Sequence, residues 1–171
     1  MGNLELIRDF LNTADLEQGT DELGGAGGLR DWLLANGLAK PRHRASDEDA
    51  AEARAVREAL RELAREHTGA TADRDIASRT LDIAARNAGL QVRFRDGAIG
   101  FVPSTSGGLG TLLAAVGESM ADGSWRRLKA CRSDTCRWAF IDEARNQSRQ
   151  WCDMRVCGNR AKARTFRGKR A

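Results

Sequence analysis

The spacing of apolar and polar residues predicts a mostly helical chain over the first 121 residues. Apolar side chains recur every three or four positions, as on one face of an α-helix, over 4–12, 29–35, 46–67, 74–87 and 109–121. The longest of these helices begins with a capping box, because Ser46 is followed three residues later by the acid Asp49. Gly37 and Gly123 stand just beyond the second and fifth helices, where glycine commonly ends a helix.

The hydrophobic period changes after residue 89, where a β-hairpin is predicted. Residues 90–94 alternate between apolar and polar side chains, 95–97 supply a turn, and 98–102 alternate again. The sequence therefore predicts a mainly α fold with one small β-hairpin near 90–103.

The charges divide the chain near residues 122–124. Residues 126–171 carry 14 Lys and Arg against 4 Asp and Glu, whereas residues 1–125 carry 14 against 20. Such a basic C-terminal third indicates a polyanionic partner for that part of the chain alone. We therefore predict two domains, a helical one over 1–122 and a second one over 123–171.

Four cysteines, the whole cysteine content of the chain, organise the second domain. They form two matched pairs, Cys131 with Cys136 and Cys152 with Cys157, and 15 residues separate the pairs. This spacing suits a tetrahedral Zn²⁺ site with four thiolate ligands. Four thiolates leave no open position for water, so we expect one structural Zn²⁺ and no catalytic metal. Unrelated buried cysteines and disulfides are less favoured alternatives.

Short elements are predicted around these cysteines. We expect a helical turn over 125–130, a short strand over 138–141, and a final helix that starts at about Cys157 or Gly158. Spacings of four and three residues place three arginines of that helix on one stripe, Arg160, Arg164 and Arg167. The final helix is therefore predicted to be basic.

The basic tail points to nucleic acid as the polyanion, since arginine suits both phosphate oxygens and the edge of guanine. We expect base contacts from Arg160 or Arg164. The expected phosphate contacts come mainly from the tail, from Lys162, Arg167, Lys169 and Arg170. In the connector between the cysteine pairs, Arg145 and Arg149 are further candidates for nucleic-acid binding.

The same sequence gives no indication of an enzyme. Neither His43 nor His67 lies in a pattern that pairs a nucleophile with a base. No apolar run approaches the roughly 20 residues that span a bilayer, and no secretion signal is evident. We expect a cytoplasmic protein without a membrane partner, associated with the nucleoid when it binds DNA.

Motifs in both parts of the chain resemble a known family. The segments 125–131, 136–142 and 149–154, and above all Cys157-Gly158-Asn159-Arg160, resemble the CGNR zinc-finger proteins. The N-terminal motifs Asp9-Phe10-x-Asn12-Thr13 and Trp32-Leu33 resemble the ABATE domain that precedes this finger. The resemblance covers nearly the whole chain.

This resemblance implies a bacterial, stress-induced transcriptional regulator whose finger binds double-stranded DNA. The N-terminal domain would sense a small-molecule ligand, in a pocket lined by Asn12, Thr13 and Trp32, or mediate homodimerisation. Arg160 would either neutralise the negative charge of the four-thiolate site or contact DNA.

Three alternatives remain open from the residues alone. The finger could bind RNA, with Trp138 or Trp151 stacking on unpaired bases. It could instead be an interaction module that docks an acidic protein surface, such as its own N-terminal domain. An oxidant that ejects the metal from the thiolates would make it a redox switch.

Overall fold

The computed structural model describes residues 2–104 and 108–168 and confirms the mainly helical fold. The helices in these residues are α1 (Asn3–Leu11), α2 (Ala26–Ala35), α3 (Asp47–Glu66), α4 (Arg74–Asn87), α5 (Leu109–Ala121) and α6 (Asn159–Gly168). The strands form antiparallel pairs, β1 (Ala14–Asp15) with β2 (Thr20–Asp21), β3 (Gln91–Arg95) with β4 (Ala98–Val102), and β5 (Leu128–Ala130) with β6 (Ala139–Ile141). Among the described helices, none is both long and apolar enough to cross a membrane.

The predicted hairpin, the capping box of α3 and the end of α5 are confirmed, whereas α2 begins at Ala26 and not at the predicted residue 29. β3 and β4 pair from Gln91 opposite Val102 to Arg95 opposite Ala98. Ser46 caps α3 because its hydroxyl accepts a hydrogen bond from the Asp49 amide at 3.1 Å, and the Asp49 carboxylate accepts one from the Ser46 amide at 2.8 Å. Gly123, beyond α5, has a φ of 79°, a conformation that glycine adopts without strain.

One hydrophobic core joins the N-terminal helices to the strands that flank the first cysteine pair. Trp125, Leu128, Ala130 and Ala139 are buried in the same cluster as side chains from α1, α2, α3 and α5. The hairpin of β5 and β6 therefore packs on the N-terminal helices, across the position at which the charge changes sign. The domain boundary at 122–124 remains a prediction from charge.

The helical turn predicted over 125–130 is wrong in its second half. A 3₁₀ turn covers Ser124–Arg127, and the chain then straightens into β5. Leu128 lies opposite Ile141 and Ala130 opposite Ala139, so the backbone of this segment finds its hydrogen-bond partners in β6. These partners in β6 lie beyond the first cysteine pair, so the local spacing of apolar residues in 125–130 does not indicate the pairing.

Helix α3 carries three buried arginines that hold loops from both parts of the chain. Arg57, Arg61 and Arg65 are spaced four residues apart and are at most 6% exposed. Arg57 binds both carboxylate oxygens of Asp21, at 2.6 and 2.8 Å, and these bonds hold the pKa of Asp21 below its ordinary value. Arg61 donates to the Leu11 and Ala14 carbonyls, while burial lowers its own pKa. These bonds fix the β1–β2 segment against α3.

Candidate metal centre and basic helix

The four cysteines meet at one point. The sulfur atoms of Cys131, Cys136, Cys152 and Cys157 all lie within 4.8 Å of one another, and this is the cluster suited to a metal ion among the described residues. The Cys136 sulfur lies 3.6 Å from the Cys152 sulfur, which lies 3.8 Å from that of Cys157. A tetrahedral Zn²⁺ with bonds of about 2.3 Å requires sulfurs about 3.8 Å apart, so the cluster has the dimensions of such a site.

Hydrogen bonds within the cluster favour a thiolate at Cys131. The thiols of Cys136 and Cys152 and the backbone amides of Cys152 and Ser133 lower the pKa of Cys131 to about 2. The interaction between Cys136 and Cys131 raises the pKa of Cys136 to about 12. Cys131 also raises the pKa of Cys152. Burial raises the pKa of Cys157. Soft sulfur donors packed this closely are the ligand set that zinc prefers.

The first cysteine pair is anchored on the N-terminal helices. The Asn12 side chain donates to the Ala139 carbonyl at 3.0 Å and accepts from the Ala139 amide at 2.7 Å, so it pairs with β6 as a strand would. On the other side, Arg65 forms an ion pair with Asp134, between the two cysteines. Asn12, which the sequence placed at a helix end or in a pocket, thus joins α1 to the finger.

A second link is made by Arg137, which forms an ion pair with Glu62 of α3 at 2.9 Å. Thr68 donates to the Ala130 carbonyl at 3.3 Å, and His67 hydrogen-bonds to the Leu128 carbonyl at 2.7 Å. His67 therefore has a structural partner. The first pair is held by α1, α3 and the residues just after α3.

The connector between the cysteine pairs is organised by a buried ion pair. Lys129 lies 2.8 Å from Asp142, and both side chains are at most 2% exposed. Lys129 also donates to the carbonyls of Gln147 and Arg149, the latter at 3.1 Å. Burial alone would raise the pKa of Asp142, but the bonds from Lys129 and from the Arg149 amide hold it below the ordinary value. The sequence carries no local signal for this pair, since a lysine between apolar residues usually faces solvent.

The second cysteine pair enters a tight turn that leads into α6. Asp153 accepts hydrogen bonds from the amides of Arg155 at 2.6 Å and Val156 at 3.3 Å, and so caps the π-helical turn Met154–Gly158. A side chain at Gly158 would collide with the Met154 thioether. Asn159 donates to the Arg155 carbonyl at 3.0 Å. Gly158 and Asn159 therefore serve the turn beside the metal centre.

Helix α6 extends from this turn with its surface uncovered. None of its residues is buried, and Lys162, Arg164 and Arg167 form no ion pair within the described residues. Arg160 forms an ion pair with Glu17, in the turn between β1 and β2. Lys169 and Arg170, predicted from the sequence as phosphate contacts, lie outside the described residues.

The two connector arginines differ in their surroundings. The Arg149 guanidinium lies 4.7 Å from the centre of the Phe140 ring and donates to the Cys152 carbonyl at 2.9 Å. Arg145 is exposed and has no side-chain partner among the described residues. Arg149 thus supports the centre, whereas Arg145 is free to meet a ligand.

Family models match both parts of the chain. The ABATE model, described as "Putative stress-induced transcription regulator", matches residues 4–123. The chain belongs to the ABATE family. The CGNR zinc finger model matches residues 127–170, which include the four cysteines. No match was found among curated proteins.

In this ABATE-family protein, two of the three residues predicted to form a pocket line an open cleft. The cleft has a volume of about 860 Å³ and lies between α1 and α2 on one side and β6 on the other; we call it the acidic cleft. Asn12 and Trp32 line it. Thr13 does not, because it is buried beneath, where its hydroxyl donates to the Phe10 carbonyl at 2.8 Å and accepts from Arg57 at 3.2 Å.

Proposed function

We propose that this ABATE-family protein is a DNA-binding transcription regulator whose four cysteines hold one structural Zn²⁺ and present α6 to double-stranded DNA. The two family descriptions support a role in transcription regulation and a zinc finger. The exposure of α6 carries the DNA-binding part of the proposal. A basic helix that the rest of the described chain leaves uncovered is available to a polyanion.

Zinc would have a structural role, because it would connect the first cysteine pair with the second. Cys131 and Cys136 would hold the metal on the side that is anchored to α1 and α3, and Cys152 and Cys157 on the side from which α6 extends. In a closed four-thiolate site the metal fixes the chain and offers no position for catalysis. The orientation of α6 relative to the N-terminal helices would therefore depend on the metal.

The size of α6 supports binding in the major groove. Its ten residues span about 15 Å, and a groove about 12 Å wide admits an α-helix. Arg164 can reach a guanine edge, while Lys162 and Arg167 on neighbouring positions can contact phosphates. Arg145, Lys169 and Arg170 would add phosphate contacts.

The ion pair with Glu17 suggests a further role for Arg160, in addition to the two considered from the sequence. The pair ties the first turn of α6 to the β1–β2 segment. Both side chains are partly exposed, and exposed pairs contribute only about 0–1 kcal/mol. A DNA phosphate could therefore take Arg160 from Glu17 at little cost.

The position of Trp138 favours DNA over the RNA alternative. Trp138 lines the acidic cleft, where carboxylates would repel a nucleic acid. Trp151 packs against the cysteine cluster. Trp138 therefore lacks the surrounding of cations that the stacking of unpaired bases requires, whereas Trp151 lines open surface beside Arg149 and Lys162 and leaves the RNA alternative open.

Replacement of Arg164 tests the proposed contact. We expect Arg164→Ala to weaken binding to duplex DNA by about 5- to 10-fold and to lower the slope of log affinity against log salt by about 1. The metal content should stay unchanged, because Arg164 touches none of the cysteines. Fluorescence anisotropy at several salt concentrations measures both effects.

The matched control is Arg79→Ala, which removes the same charge from an exposed position of α4. We expect no change in its DNA affinity beyond about twofold. If both variants lost DNA affinity equally, the loss would come from the lower net charge and not from a contact made by Arg164. An unchanged affinity for Arg164→Ala would remove α6 from the contact surface.

A further inference from the structure

The acidic cleft has the size of a small-molecule site. Its volume of about 860 Å³ lies within the roughly 300–1,000 Å³ of typical small-molecule sites. One wall comes from α1 and α2, and the other from Trp138, Phe140 and Glu143 of the finger. A molecule in the cleft would therefore touch both parts of the chain.

Unpaired carboxylates dominate the charge of the cleft. Arg8 is the one cation that lines it among the described residues, and Arg8 is already paired with Asp9 at 2.7 Å. Glu5, Glu22 and Glu143 also line it and form no ion pair with any described residue. This leaves three negative charges around one cavity, which favours a cationic ligand.

Aromatic rings line the same cavity. Trp32 is 92% buried, lines the cleft, and packs against Phe10 with ring centres 5.2 Å apart. Its indole N–H makes no hydrogen bond among the described residues. Trp138, on the opposite wall, is 37% exposed. Indole rings attract cations through their faces, and a buried indole N–H ordinarily finds an acceptor.

A bare metal ion does not suit the cleft. Among the described residues the cysteines form the cluster whose ligand atoms lie close enough together to hold an ion, so the cleft carboxylates are too dispersed. Carboxylates that are spread around a cavity with aromatic walls suit an organic cation, which is larger than a metal ion and carries a less concentrated charge.

We infer that the acidic cleft binds a small organic cation, a molecule that carries an ammonium or guanidinium group together with a hydrogen-bond acceptor. The cation lies among Glu5, Glu22 and Glu143 and against the rings of Trp32 and Trp138, and the acceptor meets the Trp32 N–H.

Binding in the cleft also bears on the metal centre, and this consequence rests on the proposed function. Cys152 lines the cleft, and Asn12, which pairs with β6, forms part of its wall. A cation that bridges Glu22 on one wall and Glu143 on the other stabilises the docking of the finger on the N-terminal helices. The ligand would thereby act on the position of α6.

The four tryptophans provide the test. Choline, lysinamide and argininamide, each a cation with an oxygen acceptor, are titrated into the zinc-loaded full chain without DNA, and the four indole N–H signals are followed by NMR. At least one probe should shift the signals of Trp32 and Trp138 saturably, while those of Trp125 and Trp151, outside the cleft, stay in place. The neutral isostere of choline, 3,3-dimethylbutan-1-ol, should bind at least threefold more weakly than choline wherever choline binds.

Charge removal sharpens the result. The double variant Glu22→Gln/Glu143→Gln changes two exposed side chains and should weaken the best probe about tenfold, whereas Asp82→Asn, an exposed acid of α4, should leave its affinity unchanged. No saturable shift with any probe up to about 10 mM, or equal binding of the neutral alcohol, would overturn the inference. Because these titrations contain no DNA, they can succeed even if the proposed DNA binding fails, and the reverse also holds.

Discussion

Cys152→Ser is expected to release α6 while the N-terminal helices and the β5–β6 hairpin stay folded. The first cysteine pair is held to α1 and α3 by Asn12, Arg65 and Arg137, and these bonds do not involve the metal. α6 has no buried residue, and an isolated helix of ten residues is marginal in water. Once the metal is lost, the exposed ion pair between Arg160 and Glu17, worth only about 0–1 kcal/mol, is too weak to hold α6 in its helical form and orientation.

Hydrogen exchange measures this separation residue by residue. Amides of α3, α5 and β5 should keep at least nine-tenths of their protection free energy, whereas α6 should lose its protection. Affinity for duplex DNA should fall by about 100-fold or more, because several phosphate contacts are lost together.

The matched controls are Ser148→Ala, an exposed connector residue, and the native chain treated with a chelator. Ser148→Ala should behave as the native chain, and the chelated chain as Cys152→Ser. Two results would contradict a four-thiolate site that holds α6 alone. One is a Cys152→Ser variant that retains one metal per chain, and the other is a loss of protection in α3 and α5 together with α6.

Lys129→Met is expected to destabilise the metal-loaded protein by about 3–5 kcal/mol, the cost of leaving one partner of a buried ion pair alone. Asp142 is fully buried, and without Lys129 its carboxylate would keep only the amide hydrogens of Ala144 and Arg149. The carbonyls of Gln147 and Arg149 would lose their shared donor. The connector should then loosen first.

Urea denaturation of the single and double variants measures this cost. In Lys129→Met/Asp142→Asn the buried group is neutral, and its amide can donate to a carbonyl that Lys129 served. The double variant should therefore recover at least about 1 kcal/mol relative to the single variant. A loss below about 1 kcal/mol for Lys129→Met, or a double variant less stable than the single one, would mean that the pair does not organise the connector.

Local signals in the sequence are sufficient to predict helices whose ends are marked by capping residues or glycines. α4 and α5 run over 74–87 and 109–121, as the apolar period and the following glycines predict. The cysteine spacing likewise identified the cluster, because close ligands within each pair limit how the chain can fold.

The strand predicted over 138–141 is present as β6, but its partner β5 and several buried contacts could not be predicted. The sequence predicts a helical turn where β5 forms, because the pairing of β5 with β6 leaves no local period. The burial of the three arginines of α3 has no local signal, since Asp21, the Leu11 carbonyl and Asp134 lie far away in sequence. A residue type that usually faces water is buried only where the tertiary fold supplies its partners.

The candidate metal centre likewise contains some contacts that are local in sequence and others that join distant segments. The contacts of Gly158 and Asn159 lie within the turn beside the candidate metal centre, close to the cysteines in sequence. The pairing of Arg160 with Glu17, and of Asn12 with Ala139, joins segments more than 120 residues apart. Only the fold brings these residues together.

Selection of DNA from a randomised duplex pool by the reduced, zinc-loaded protein tests the central claim most directly. The selection is run at low and at moderate salt, with Cys152→Ser as the control. The account predicts an enriched sequence motif that survives moderate salt for the native chain and is absent for the variant. Binding without a motif, or equal recovery of DNA by the native chain and by Cys152→Ser, would contradict the claim that the metal centre presents α6 to DNA.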